Sequence, residues 1–306
     1  MMIQIGDIVT IKSYRNDDLW RVIDICQQGV EIAKLKGLTN RSIIRTPTYL
    51  LTGVNQQNIR KTLNNRQLND QWAFAQFLQK KRSSMNEFGN NIFYKNPGKV
   101  LHLDGAEEYV NDCIGKYKEL GISANGYFIN SSEMSKKVAE LLEKHQPDIL
   151  IITGHDGYDS SKDMYSLDSY YNSKDYVETV KEARKYYNKN NLIIFAGACY
   201  SYFEALMAAG ANFASSPTRV SIDIYDPVIV ADRVAFTPLL QKADLMEVIF
   251  STKYGMGSIG GIDTEGCMRN SIPSINAPVP RINAPNKYVT THRQYYPHPM
   301  FYSQHP

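Results

Sequence analysis

Two stretches of this sequence share one shape, and together they restrict the fold more than any other feature. In Asp148-Ile-Leu-Ile-Ile-Thr-Gly-His-Asp-Gly157 and in Asn191-Leu-Ile-Ile-Phe-Ala-Gly-Ala-Cys-Tyr-Ser201, an apolar run of buried-strand length stops at small residues. A reactive side chain follows at once, His155 in the first and Cys199 in the second. Two parallel strands ending side by side would present an imidazole and a thiol at one sheet edge, where open α/β folds place their sites.

The surrounding pattern fits such a sheet. From residue 99 strands and helices alternate: a strand over 100–103 ending at Asp104-Gly105, then a helix over 106–120 with Tyr109, Val110, Cys113, Ile114, Tyr117 and Leu120 on one face. A strand over 126–129, a helix over 132–145 and the strand over 149–153 follow. After a polar, Tyr-rich excursion over 158–172, Ser173 is placed to cap a helix, and 192–196 is the next strand. A short helix over 202–209, a strand over 212–216, further extended residues over 220–230 and a last helix near 242–250 complete the unit. Strands joined by helices of this length imply parallel crossovers and a three-layer α/β sandwich over residues 99–252.

The flanks differ in composition. Residues 1–54 hold short strands over 3–11, 19–25, 29–34 and 42–51 separated by polar or Gly-containing turns, the pattern of a small SH3-like β-barrel. Residues 55–98 are rich in Gln, Asn, Lys and Arg and read as a linker, with one helix over 70–81 carrying Trp72, Phe74, Ala75, Phe77 and Leu78 and an exposed loop over 82–91. Residues 253–306 begin Gly-rich and become Pro-rich, which argues for extended, wrapping chain without a core of its own.

Bulk properties exclude several classes. The formal net charge is +3 over 306 residues, with acidic and basic groups mixed and no basic stripe, so no nucleic-acid partner is expected. The N-terminus lacks a signal-peptide pattern and no apolar run approaches the roughly 18 residues of a membrane span, so a cytoplasmic protein without membrane contact is expected. The four cysteines form no C-x-x-C pair, against a zinc ribbon or disulfide framework. Cys26, Cys113 and Cys267 read as packing or loop residues; only Cys199 has a chemical context.

That context is acyl transfer. A cysteine at the first turn of a helix gains from the positive end of the helix, which favours the thiolate. His155 is the candidate to take the thiol proton and later protonate a leaving amine, which suffices for amide hydrolysis through an acyl-enzyme. No metal or organic cofactor is required. Gly197 and Ala198 leave room for a substrate carbonyl, and the N–H of Cys199 with that of Asp156 or Gly157 would form an oxyanion hole. A nucleophile elbow of the α/β-hydrolase or amidotransferase kind would place the histidine after the nucleophile; His155 precedes Cys199, and the later His292, His298 and His305 lie in the Pro-rich tail.

An apolar strand with His-Gly followed by one with Ala-Cys resembles the caspase, legumain, gingipain and clostripain group of cysteine peptidases. Here Asp156 intervenes between His155 and Gly157. A fuller resemblance runs through Ile5-Gly-Asp-Ile-Val9, Trp20-Arg-Val-Ile-Asp24, Val100-Leu-His-Leu-Asp-Gly105, Thr153-Gly-His-Asp-Gly157, Ala196-Gly-Ala-Cys-Tyr-Ser201 and Ala211-Asn-Phe-Ala-Ser-Ser-Pro217. These blocks are similar to the YabG family of sporulation-specific proteases. The resemblance implies a caspase-like sandwich and a peptidase of the mother cell that trims spore-coat and cortex-associated proteins, cleaving after Arg.

An Arg pocket needs a carboxylate that can pair with a guanidinium. Clostripain-like relatives can carry an acid two residues before the nucleophile, but that position is Gly197. Asp104 is the best substitute, with Asp156 and Asp226 behind it, and Ser215 and Ser216 are candidate walls for extended substrate. Arg60, Arg66, Lys80, Lys81 and Arg82 make the linker a candidate self-cleavage region. Two readings outside peptidase function remain: a spore-layer interaction protein with an inert α/β unit, and a small-molecule amide hydrolase with a Cys nucleophile.

Overall fold

The computed structural model describes residues 3–12, 18–86 and 94–271. The chain opens with five strands, β1 (Ile8–Ile11), β2 (Trp20–Gln28), β3 (Val30–Gly37), β4 (Ile43–Pro47) and β5 (Leu51–Gly53), forming an antiparallel sheet in the order β4-β3-β2-β1-β5. Alternation drives it: every second residue of β3 turns inward, and Val9, Ile11, Trp20, Val22, Ala33, Leu35 and Leu51 form its core. The β3–β4 turn is closed by Gly37 N–H on Ser42 O at 2.9 Å and by Ser42 N–H on Asn40 Oδ1 at 3.0 Å. A Cβ at position 37 would overlap the Asn40 side chain.

The expected linker is instead one long helix, α1 (Gln56–Asn86), of 31 residues. Its first half carries no apolar periodicity, which is why the sequence gives no helix signal there. Asn55 caps it, accepting from Asn58 N–H at 2.8 Å, and Phe74 and Phe77 anchor its second half in the core of the next unit. The loop expected over 82–91 is thus helical through Asn86, and its remainder lies outside the described residues.

Next come β6 (Tyr94–Asn96), β7 (Val100–Asp104), α2 (Glu107–Glu119), β8 (Ala124–Phe128), α3 (Ser131–His145), β9 (Ile149–Thr153), α4 (Ser173–Arg184), β10 (Ile193–Ala196), α5 (Phe203–Ala209) and β11 (Phe213–Ser215). The chain continues through α6 (Asp226–Phe236), β12 (Lys242–Ala243), α7 (Leu245–Ser251), β13 (Ile259–Gly261), β14 (Thr264–Glu265) and β15 (Arg269–Ser271). The main sheet has six strands in the order β13-β11-β10-β9-β7-β8, parallel except for the antiparallel edge strand β13.

Helices cover both faces. Ile149, Ile151, Ile193, Phe195 and Phe213 pack with α1, α2 and α6, while Leu150, Ile152, Ile194, Ala196 and Ala214 pack with α3, α4 and α5. Successive strand residues point to opposite faces, so each central strand must be apolar throughout, as the sequence is.

Three further expectations are corrected. Residues 226–230, part of the stretch over 220–230 expected to be extended, open helix α6 (226–236): Pro227 stands at its first turn, and tertiary burial of Val228, Ile229 and Val230 overrides their β preference. The last helix begins at Leu245, where the Asp244 carboxylate caps it by accepting from Met246 and Glu247 N–H. The Gly-rich region expected to lack a core supplies β13, whose Ile259 is fully buried; residues 272–306 lie outside the described ones. Glycines permit that edge, because Gly260 meets the Phe203 ring and Gly261 the Phe213 ring. Among the described residues no helix is long and apolar enough to cross a membrane.

Replacing Gly261 by Ala forces a methyl group into Phe213 and the Asn212 carbonyl, so that variant should lose about 1–3 kcal/mol of stability, read as a lowered melting temperature. An unchanged melting temperature would mean that β13 is not held as described.

Candidate active site

The site is built where three neighbouring strands end. β9 lies between β10 and β7, with Ile152 opposite Ala196 and Thr153 opposite Asp104. Gly197 N–H donates to Ile152 O at 2.9 Å and the Thr153 hydroxyl donates to Gly197 O at 2.8 Å, so the two reactive loops leave the sheet level and tied together. His155 and Cys199 follow at this carboxyl edge, beside Asp104.

Cys199 is fully buried in a tight turn. Its Sγ accepts from Ile222 N–H at 3.3 Å and donates to Ile222 O at 3.6 Å. Burial pushes the thiol pKa up; Ile222 N–H, the Ser42 hydroxyl and the Arg41 backbone pull the other way without offsetting it. The helix expected over 202–209 begins at Phe203, so Cys199, expected at its first turn, lies ahead of it and gains no helix terminus. The turn bends at Gly197, with φ 109°, and at Tyr200, with φ 59°. Ser215 and Ser216, expected as walls for substrate, brace this turn: Ser215 Oγ donates to Ala198 O at 2.7 Å, and Ser216 Oγ accepts from Tyr200 N–H at 2.9 Å while donating to Val220 O at 2.6 Å.

His155 is also buried, its ring stacked on Tyr109 with centroids 5.3 Å apart. Nε2 lies 3.0 Å from Gly37 O, a pure acceptor, so Nε2 carries the proton and Nδ1 is the basic nitrogen. Nδ1 is buried without a hydrogen-bond partner among the described residues. Burial drives the His155 pKa down to about 3, with Lys36 and Arg41 adding to the effect. Neither ring nitrogen is hydrogen-bonded to the Cys199 sulfur.

Asp156 has two roles in space. Its carboxylate accepts from Gly157 N–H at 2.8 Å, Asn172 N–H at 2.9 Å, Ser173 Oγ at 2.5 Å and Ser201 Oγ at 2.8 Å, joining the His155 loop to the start of α4 and to the Cys199 turn. Burial raises its pKa to about 6 against those four donors. Its backbone N–H donates to Arg41 O at 3.0 Å, whereas the Gly157 N–H is spent inside the loop.

Asp104 is buried and faces a guanidinium from the N-terminal sheet. Arg41 Nη1 donates to Asp104 Oδ2 at 2.8 Å and to Gly154 O at 3.3 Å, Nη2 donates to Ile224 O at 3.3 Å, and the guanidinium lies over the Tyr109 ring at 4.6 Å. The other Asp104 oxygen accepts from Ala106 N–H at 2.9 Å, and His102 Nε2 stands 3.3 Å from Oδ2. Burial opposes ionisation of Asp104, but Arg41 and His102 more than offset it and hold the pKa at about 2. Asp226 is not part of this group: its carboxylate accepts from Asp223 N–H at 2.9 Å and Lys253 N–H at 2.9 Å at the start of α6, and burial beside Asp223 raises its pKa to about 7.

Sequence reasoning missed Arg41, Ser42, Tyr109 and His102. Asn40-Arg-Ser42 reads as a turn entering a strand, and nothing local announces that its side chain is buried in the other unit. Among the described residues no group of three His, Cys, Asp or Glu side chains is disposed to hold a metal ion.

A thiol, an imidazole with one nitrogen unpartnered among the described residues and an N–H on a peptide carbonyl oxygen are groups that acyl transfer at a peptide bond can employ. Comparison with known proteins gives the class directly, a peptidase. The chain belongs to the family described as YabG peptidase U57, whose model matches residues 4–273. It is 40% identical to the sporulation-specific protease YabG of Bacillus subtilis (strain 168) over 286 residues, which is 89% of this chain and 99% of that protein. A solved structure, the receiver domain of the Francisella response regulator 1452, overlaps 45% of this chain and 94% of its own at 21% identity and a TM-score of 0.30, too slight a likeness to bear on the fold.

Two outcomes are expected. Asp156→Ala strands four donors, three of them buried, and should cost about 3 kcal/mol or more in denaturant unfolding; a loss under about 1 kcal/mol would refute the bracing role. His155 takes its proton at about 3 when folded against 6.5 ordinarily, so the unfolded chain binds the extra proton and stability falls as pH drops from 6.5 toward 3. Unfolding curves across that window should be shallower in pH for His155→Gln, and identical slopes would contradict a buried neutral imidazole.

Proposed function

We propose that the chain is a cysteine endopeptidase that cleaves after arginine, with Cys199 as nucleophile and His155 as the acid/base group. One observation carries the reading: Arg41 sits as the residue before a scissile bond would, with its guanidinium on Asp104 and its carbonyl oxygen on the Asp156 N–H. In this mechanism His155 Nδ1 takes the Cys199 proton and Sγ attacks the carbonyl carbon. The Asp156 N–H, with that of Cys199, stabilises the oxyanion. His155 then protonates the leaving amine, and water, deprotonated by His155, hydrolyses the thioester. Asp104 supplies specificity because a buried carboxylate left unpaired by a neutral side chain costs several kcal/mol.

The order of the elements supports the finer fold reading. His155 and Cys199 follow adjacent parallel strands with the histidine first, as in caspase-like sandwiches, and the front sheet is read as an SH3-like barrel. Similarity to a protease named sporulation-specific supports a role in sporulation; the mother cell as its place, and spore-coat and cortex-associated proteins as its substrates, are part of the proposal. Self-cleavage within residues 55–98 meets a helical obstacle. Arg60, Arg66, Lys80 and Lys81 stand on α1, Arg66 pairs with Asp70 and Lys81 with Asp232, and a cleft takes extended backbone, so α1 would have to unwind first.

With a fluorogenic peptide carrying Arg before the reporter amine, Cys199→Ala and His155→Ala should each abolish turnover. Asp104→Asn should lower kcat/KM for that peptide by about a hundredfold. Normal turnover in both Cys199→Ala and His155→Ala would sink the assignment.

A further inference from the structure

The pocket that the proposed function assigns to a substrate arginine is already filled by the protein's own chain. We propose that the β3–β4 turn, residues 37–43, is a tethered occupant of the substrate cleft that keeps the peptidase latent until the turn is displaced. This inference rests on the Cys199/His155, Arg-directed reading above.

The turn meets the cleft along its backbone, as a bound peptide does. Ser42 pairs with Asp156 in a parallel bridge, Asp156 N–H donates to Arg41 O at 3.0 Å, and Ile43 N–H donates to Asp156 O at 2.7 Å. Pairing of this kind is how clefts grip extended segments regardless of sequence, with side-chain pockets adding selectivity. Both reactive residues are engaged by the same turn: His155 Nε2 lies 3.0 Å from Gly37 O, and the Arg41 backbone and the Ser42 hydroxyl act on the Cys199 sulfur. A buried ion pair serving only to join two units would need none of these contacts.

The cleft is shaped to the turn. A Cβ at Gly157 would overlap Ile43 O, and Gly154, whose carbonyl receives Arg41 Nη1, has no room for a side chain against Tyr176 and Gly105. With the turn in place Cys199, His155 and Asp104 are all buried, so another polypeptide reaches them only in the minority of molecules whose turn has moved aside.

The turn is also held from behind. Gly37 N–H donates to Ser42 O, Ser42 N–H to Asn40 Oδ1, and Leu38 N–H to Leu19 O at 2.9 Å, and β3 and β4 pair from Lys36↔Ile43 to Ile32↔Pro47. The Ser42 nitrogen, which would be the leaving amine, is thereby fixed inside a closed turn, and this opposes its departure. The fit nonetheless falls short of full satisfaction, because Arg41 Nε is buried without a partner among the described residues.

The test uses the full chain and initial rates on the Arg-reporter peptide. Arg41→Ala should raise kcat/KM at least tenfold over wild type. Asn40→Ala, which loosens the turn and leaves the Arg41–Asp104 pair intact, should raise it by a smaller factor. Agmatine, a small guanidinium probe, should raise the melting temperature of Arg41→Ala and leave that of wild type unchanged. Should Arg41→Ala fail to fold, Asn40→Ala decides alone. Rates equal to wild type in the folded variants overturn latency while leaving the peptidase reading intact. Turnover in none of the proteins, variant or wild type, overturns the peptidase reading and the latency with it.

Discussion

A guanidinium and a carboxylate, both without exposed surface, meet at 2.8 Å between Arg41 and Asp104. Desolvating two charges costs several kcal/mol each, and their attraction repays it only where the remaining hydrogen-bonding capacity is met. Here Asp104 is served by Arg41, His102 and the Ala106 N–H, with Tyr117 placed 3.1 Å behind His102. The arrangement ties the N-terminal sheet to the strand edge, because that sheet cannot leave without stripping Asp104 of its guanidinium. Stacking of Arg41 over Tyr109, and of Tyr109 on His155, extends the same constraint to the imidazole.

Asp156 plays the corresponding part at the end of the neighbouring strand. One buried carboxylate holds the His155 loop, the first residues of α4 and the Cys199 turn, while the N–H of the same residue points at a peptide carbonyl. The resemblance to His-Gly peptidases made Asp156 look like an interruption. It is better understood as the pin that fixes the spacing between the two reactive loops.

The alternation of strand and helix from residue 99 was legible because buried parallel strands must be apolar on both faces, which leaves an unbroken run in the sequence. The strand ends were legible for the same reason, and with them the level positions of Asp104, His155 and Cys199. Helix α1 was half hidden, since its first turns carry no apolar stripe and depend on the Asn55 cap and on Phe74 and Phe77 further along. Helix α6 was hidden by its own composition: Val228, Ile229 and Val230 favour strands locally and are helical only because the core covers them.

By itself the sequence determined the parallel sheet, the residues at its carboxyl edge and the order of histidine before cysteine, because periodicity and chain order are local properties of a string. Only the tertiary structure decided that Arg41, more than sixty residues upstream of Asp104, brings its guanidinium to that carboxylate at the carboxyl edge of the sheet. No propensity or spacing could reveal it, since the pairing depends on how the turn of one sheet docks against the edge of another. The serines at 215 and 216 differ in the same way: their types suggested contact with substrate, and their surroundings make them struts of the Cys199 turn.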